Sequence, residues 1–211
     1  MFKKYLHGRK KYNSIAILLF FLISLQLSGE TDKKLLILGD SLSAGYGIPL
    51  EKQWAKVVQR KLNSSEKKIR LINSSLSGET TGGGLSRISN LLIIHSPDFI
   101  LIELGGNDAL RGYPVEKIKS NLKEICKIAQ KQKVTVILMQ MRIPPNYGKR
   151  YSEALESIYT ELAGELNIKL VPFMLNNIAL DSSLMLPDGI HPNENGQLLI
   201  AEEVFKWISF L

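Results

Sequence analysis

With 211 residues, of which 45% are hydrophobic, the chain is long enough to fill one substantial core and too polar for a polytopic membrane protein. Its formal charge of +7 is unevenly placed: residues 1–29 hold Lys3, Lys4, Arg9, Lys10 and Lys11 and no acid. Removing those five from the 27 Lys and Arg leaves 22 bases against 20 acids, a net of +2 with no basic stripe interleaved with aromatics, so nucleic acid is not an expected partner.

The first 29 residues read as a secretory signal peptide. A basic stretch ends at Lys11, an apolar run spans Ile15–Leu27, and the small pair Ser28-Gly29 follows. The run is shorter than the ~20 apolar residues of a membrane-spanning helix. Leu27 stands where a small residue is preferred before a cut, so an uncleaved N-terminal anchor is the alternative. Either way the expected location is periplasmic or secreted, membrane-anchored if the leader stays on. Residues 30–211 then form the folded domain.

Along that domain apolar runs alternate with amphipathic stretches. "LLILGD" (Leu35–Asp40) predicts a buried strand, and "EKQWAKVVQRKL" (Glu51–Leu62) a helix with Trp54, Val57, Val58 and Leu62 on one side. "NSSEKK" (Asn63–Lys68) is a polar surface link. "IRLIN" (Ile69–Asn73) is a second strand, "GLSRISNLLIIHS" a helix, and "DFILIEL" (Asp98–Leu104) a third strand. "VEKIKSNLKEICKIAQ" is helical, with Leu122, Ile125, Cys126 and Ala129 at helical spacing, so the single cysteine reads as a core residue. "VTVILMQ" (Val134–Gln140), "RYSEALESIYTELAGEL" and "IKLVPF" (Ile168–Phe173) continue the alternation, and a last helix is expected from about Asn193 to Phe210.

Strands alternating with helices predict an α/β fold: a parallel sheet covered on both faces. Right-handed crossovers bring every strand's C-terminal end to one edge, where ligands bind in such folds. Four segments should therefore meet there: Gly39-Asp40-Ser41, "NSSLSGETTGGG" with Gly78, "GGND" (Gly105–Asp108) and "PDGIHPN" (Pro187–Asn193). Together they supply a hydroxyl, free backbone N–H groups, a carboxamide and an Asp/His pair.

That inventory suits acyl transfer. A serine needs a base to take its proton, the base needs a carboxylate to fix its tautomer, and the oxyanion needs donors in place beforehand. Ser41 is the candidate nucleophile, His191 the base and Asp188 its partner. The donors would be the Ser41 and Gly78 N–H groups and the Asn107 side chain. Of the other two histidines, His7 lies in the leader, and His95 ends a predicted helix, where a cation is favoured. Taken singly, each segment has a plain structural reading, as a helix cap, a turn or a loop tip. Asp40 and Asp108 are alternative partners for the histidine. Asp40 is better placed to hold the turn beside Ser41, and Asp108 to orient the Asn107 loop.

"LLILGDSLSAGYG", "NSSLSGETT", "IELGGNDALRGYP", "LMQMRIPPNYGKRY" and "DGIHPN" together resemble the SGNH (GDSL-type) hydrolase superfamily, in its branch of bacterial thioesterases and lysophospholipases. The resemblance runs from about Lys34 to the C-terminus. It implies a flavodoxin-like three-layer α/β/α sandwich with a five-stranded parallel sheet, and the same Ser41–Asp188–His191 triad and oxyanion hole. It also implies hydrolysis of acyl-CoA-type thioesters, lysophospholipids and simple esters. Leu110 to Pro114 would be the loop that moves over bound acyl chains. Leu110, Tyr113 and Pro114 would line the acyl groove with "MRIPPNYG" (Met141–Gly148), chiefly Ile143 and Pro144, or else that second stretch is a turn packed on the sheet.

One departure is the run Gly82-Gly83-Gly84, which either loosens the loop carrying Gly78 or starts the next helix. It lacks the Lys-Ser/Thr ending of a phosphate loop. No metal-ligand spacing is visible, and serine chemistry of this type needs no cofactor. A monomer acting on a small-molecule ester or thioester is expected, with membrane lipids among the candidate substrates. The rival readings are a carbohydrate O-deacetylase of the same superfamily and a non-catalytic lipid-binding protein of the cell envelope.

Overall fold

Each of the five apolar runs forms a strand: β1 (Lys33–Gly39), β2 (Ile69–Asn73), β3 (Phe99–Glu103), β4 (Thr135–Met139) and β5 (Lys169–Val171). The computed structural model describes residues 32–66, 68–209 and 211, and the leader expected over residues 1–29 lies outside the described residues. All strand pairs are parallel, in the order β2-β1-β3-β4-β5. Leu35–Leu38 and Ile100–Ile102 are at most 1% exposed. Burial on both faces is why these strands are continuous apolar runs rather than alternating ones. β5 is shorter than the apolar run around it; it lies at the sheet edge and pairs only with β4.

The helices are α1 (Ser41–Ala44), α2 (Trp54–Asn63), α3 (Thr81–His95), α4 (Gly106–Leu110), α5 (Val115–Lys131), α6 (Lys149–Leu166) and α7 (Glu194–Ile208). α2 packs against α7, while α3, α5 and α6 pack one against the next. On α5, Ile118, Leu122, Ile125, Cys126 and Ala129 are fully buried, and burial pushes the Cys126 thiol up to about 12. His95 closes α3, and its carbonyl accepts from Lys34 Nζ at 3.0 Å. Among the described residues no helix is long and apolar enough to cross a membrane.

The three glycines begin a helix rather than extend a loop. Thr80 Oγ1 accepts from Gly83 N at 3.2 Å, and α3 starts at Thr81. At Gly84 a Cβ would stand 2.5 Å from Leu104 Cδ1, so glycine lets this first turn lie against the strand end without moving that side chain.

The strand order reverses between β1 and β3, both of which are neighbours of the central seam. A sheet of this order opens its ligand crevice outside the carboxyl ends at that reversal. Gly39 pairs with Glu103 in register, so the segments carrying Ser41 and Asn107 leave the sheet side by side.

Candidate active site

β1 stops at Gly39, and Asp40 caps the single turn of α1, its Oδ1 accepting from Leu42 N at 3.0 Å. Gly45, at φ +73°, ends the turn. Ser41 is thereby the first residue of a helical turn at the sheet's edge. The segment before α7 brings the other two residues to it. Asp188 Oδ1 accepts from the N–H of Ile190 (2.9 Å) and of His191 (3.0 Å), a tight bend through Gly189 at φ +67°. The bend points Asp188 Oδ2 at His191 Nδ1, 2.8 Å away, and His191 Nε2 at Ser41 Oγ, also 2.8 Å away.

Electrostatics fix the proton positions along this line. Burial works against a charge on Asp188, but the N–H of His191, its ring and the N–H of Ile190 outweigh it and hold the carboxyl at about 2. An ionised Asp188 can only accept, so Nδ1 carries the imidazole hydrogen and Nε2 is left to accept from the serine hydroxyl. The Tyr46 ring lies on the imidazole with centroids 4.5 Å apart. Neither alternative acid is free for this work. Asp40 Oδ2 accepts from Asn107 Nδ2 at 2.9 Å, and both Asp108 oxygens accept from Thr81, from its N–H (2.8 Å) and its hydroxyl (2.6 Å).

Gly78 sits at φ +80°, and a Cβ there would meet only Arg111 Nη2 at an ordinary 3.8 Å, so backbone conformation rather than crowding calls for glycine here. Its loop is tied to the end of β1 by Leu76 N to Gly39 O (3.1 Å) and to α4 by Arg111 Nη2 to the Gly78 carbonyl (3.1 Å). The Asp108–Thr81 bonds, extended by Asn121 Nδ2 to Thr81 Oγ1 at 3.0 Å, join α4 to the start of α3. The two candidate donors that come from different loops, Gly78 and Asn107, are thus braced against each other.

Ser41, Gly78, Asn107 and His191 line one end of a cavity of about 650 Å³. Leu110, Met141, Ile143 and Pro144 line it too, together with Phe173 and Leu175, which the sequence did not single out. Tyr113 and Pro114, expected in the groove, are not among its lining residues. The Tyr113 N–H donates to the Asp108 carbonyl (3.0 Å), its carbonyl accepts from Tyr151 Oη (2.5 Å), and Pro114 opens α5. The chain has turned away by then. Among the described residues no cluster of three or more His, Cys, Asp or Glu is arranged to hold a metal.

Residues 37–199 match the GDSL-like Lipase/Acylhydrolase family. The chain belongs to this family. An arylesterase of Vibrio mimicus is 44% identical over 190 residues, covering 90% of this chain and 94% of that protein. The thioesterase 1/protease 1/lysophospholipase L1 of Escherichia coli K12 is 40% identical over 186 residues, 88% of each chain. Among solved structures, the psychrotrophic esterase EstA of Pseudoalteromonas sp., in a form inhibited by monoethylphosphonate, superposes with a TM-score of 0.83 at 44% identity, over 85% of this chain and 98% of that one. This GDSL-family chain is accordingly an ester-hydrolysing enzyme with the five-stranded sheet of its structural relatives.

Proposed function

We propose that the enzyme is a serine esterase and thioesterase that cleaves acyl esters, acyl-CoA-type thioesters and lysophospholipids through an acyl-enzyme. Ser41 Oγ attacks the carbonyl carbon as its proton passes to His191 Nε2. Asp188 stabilises the imidazolium that results. The oxyanion is received by the N–H groups of Ser41 and Gly78 and by Asn107 Nδ2. Collapse expels the alcohol or thiol, which takes the proton from His191. Water then attacks the acyl-serine, giving its proton to His191 and releasing the acid with Ser41 restored.

The observation that carries this reading is the unbroken line Asp188–His191–Ser41, with both links at 2.8 Å, opening into the cavity. The apolar wall of Leu110, Met141, Ile143 and Phe173 suits an acyl chain better than a sugar, which would need polar partners along the groove. Export by the leader, a monomeric state and access to membrane lipids as substrates belong to the same proposal.

Turnover of p-nitrophenyl esters of short and medium chain length, and of palmitoyl-CoA, by the full chain and its Ser41→Ala variant tests it. Turnover by the native chain alone is expected, with medium chains preferred to acetate. Turnover by both would remove Ser41 from the mechanism. A strict preference for acetyl esters would favour the deacetylase.

A further inference from the structure

One titratable group beside the site has no part in the chemistry so far. Glu103 is the last residue of β3, an acid at the end of "FILIE", and it is fully buried. Its Oε2 accepts from the Asp40 N–H at 3.1 Å and from Ser43 Oγ at 2.7 Å. These two partners flank Ser41 in sequence, one on each side. Gly39 leaves the room this needs: a Cβ there would stand 2.5 Å from Glu103 Oε2 and 2.8 Å from Ser43 Cβ. Asp40, held by Glu103 through its N–H, in turn holds Asn107 through its carboxylate. A continuous path therefore runs from Glu103 to both ends of the oxyanion hole, the Ser41 peptide and the Asn107 amide.

We infer that Glu103 is a positioning residue, which sets the Ser41 N–H and the Asn107 amide by gripping the backbone and hydroxyl on either side of the nucleophile. This rests on the reading of Ser41 as nucleophile and Asn107 as oxyanion donor.

Charge and burial agree on the neutral form. Among the described residues Glu103 Oε1 has no hydrogen-bond partner. Desolvation, with the Asp40 carboxylate beside it, pushes Glu103 well above the ordinary carboxylate range, and no cation is among the groups acting on it. The other ionisable group facing it is the Tyr159 hydroxyl, which donates to the Leu104 carbonyl at 2.9 Å and is itself pushed up by burial. A full negative charge at this depth would also oppose the oxyanion that forms at Ser41. A neutral acid keeps the two acceptor bonds without that opposition.

The test compares Glu103→Gln, Glu103→Val and Ser43→Ala with the native full chain, reading kcat and KM on p-nitrophenyl butyrate and the rate of Ser41 capture by a fluorophosphonate. Thermal unfolding is followed alongside. Glu103→Val should lose about tenfold to a hundredfold in kcat and in capture rate, with KM within about threefold, because the donors act on the transition state. Glu103→Gln, neutral and of the same shape, should recover kcat to within about threefold of native. Ser43→Ala, which removes one of the two grips, should fall between. Native kcat in Glu103→Val overturns the inference, as does a kcat loss in Glu103→Gln as deep as in Glu103→Val. A parallel change in kcat and KM that follows melting temperature would reduce Glu103 to packing. Should Glu103→Val not fold, unchanged kcat in Ser43→Ala overturns the inference. If the native chain itself shows no turnover, the assignment of the site fails instead, and that is a separate result.

Discussion

The two halves of the site are built on opposite plans. The nucleophile half grows from the sheet: Asp40, Ser43, Glu103 and Asp108 are at most 3% exposed, and each is hydrogen-bonded to a neighbouring segment. The base half hangs on the segment between Ser182 and α7, where Asp188 is 38% exposed at the side chain and the His191 ring 15%. That segment is held by the Leu186 N–His191 O bond (2.7 Å), the Met185–Pro192 bridge and Asn193, whose N–H donates to Leu184 O at 2.8 Å. The contrast separates two jobs. On the proposed mechanism the oxyanion donors must not move as charge develops, and they are braced from the buried half, Asn107 by a part-buried bond to Asp40 and Gly78 by an exposed one from Arg111. On the same mechanism the base must take and return protons with water present, and the part-exposed His191 ring has its orientation fixed without being sealed off.

Variants can break this contrast or sharpen it. The largest effect should come from Ser41→Ala and His191→Ala, each lowering kcat about 10⁴-fold or more with little change in melting temperature, read by ester hydrolysis and calorimetry. Asp188→Asn should cost about 10³- to 10⁴-fold in kcat, since the amide no longer fixes the imidazole tautomer. Asn107→Ala should lose about 10²- to 10³-fold in kcat at little cost in KM. Asp108→Asn should show the opposite balance. Its amide can keep the Thr81 N–H only by turning its NH2 to the Thr81 hydroxyl, whose own hydrogen then loses its acceptor in a buried setting, costing about 1–3 kcal/mol of stability in denaturant melts. Its activity should fall far less than that of Asp188→Asn. Reversed ranks for the two Asp variants would exchange their roles.

The smallest predicted effect concerns pH and belongs to the buried half. Burial raises Asp40 from 3.8 to about 6, against the Leu42 N–H that lowers it. Folding therefore binds a proton at Asp40, and this contribution to stability is full below about pH 4 and lost as pH rises through about 6. Asp40→Asn does not titrate, so its melting temperature should gain on the native value between pH 4 and 6 and run parallel above that. Asp188 acts in the other direction. Held at about 2, it stabilises the fold above the usual carboxylate range and gives that up only as pH falls through about 2.

What the sequence disclosed follows the range of the interactions. The five strands were legible because burial on both faces writes itself into continuous apolar runs, and the strand-end segments because glycine, Asp-Ser and Asp-Gly stand out beside them. The short helices α1 and α4 were not, since four or five residues show no period and their caps are set by Asp40 and by the turn at Gly105. Tyr113 and Pro114 enter the expected groove only through the resemblance, as part of the loop that follows GGND. The hydrogen bonds from Tyr113 to Asp108 and from Tyr151 turn the chain aside within three residues. Glu103 had a signal that went unread, an acid closing an otherwise apolar strand. Its partners Asp40 and Ser43 lie 63 and 60 residues away in sequence, a separation that no local pattern reports.

Cys126, the only cysteine in the chain, lies fully buried on α5 among the core side chains that pack on the sheet. Its thiol is silent toward alkylating and disulfide reagents while α5 stays seated, because the thiolate is the reactive form and burial suppresses it. A colorimetric thiol reagent can therefore count the coenzyme A released in a thioesterase assay with no background from the folded protein. The same reagent, with no substrate present, registers one thiol per chain at the first opening of the core, an unfolding clock already wired into the helix that packs between α3 and α6.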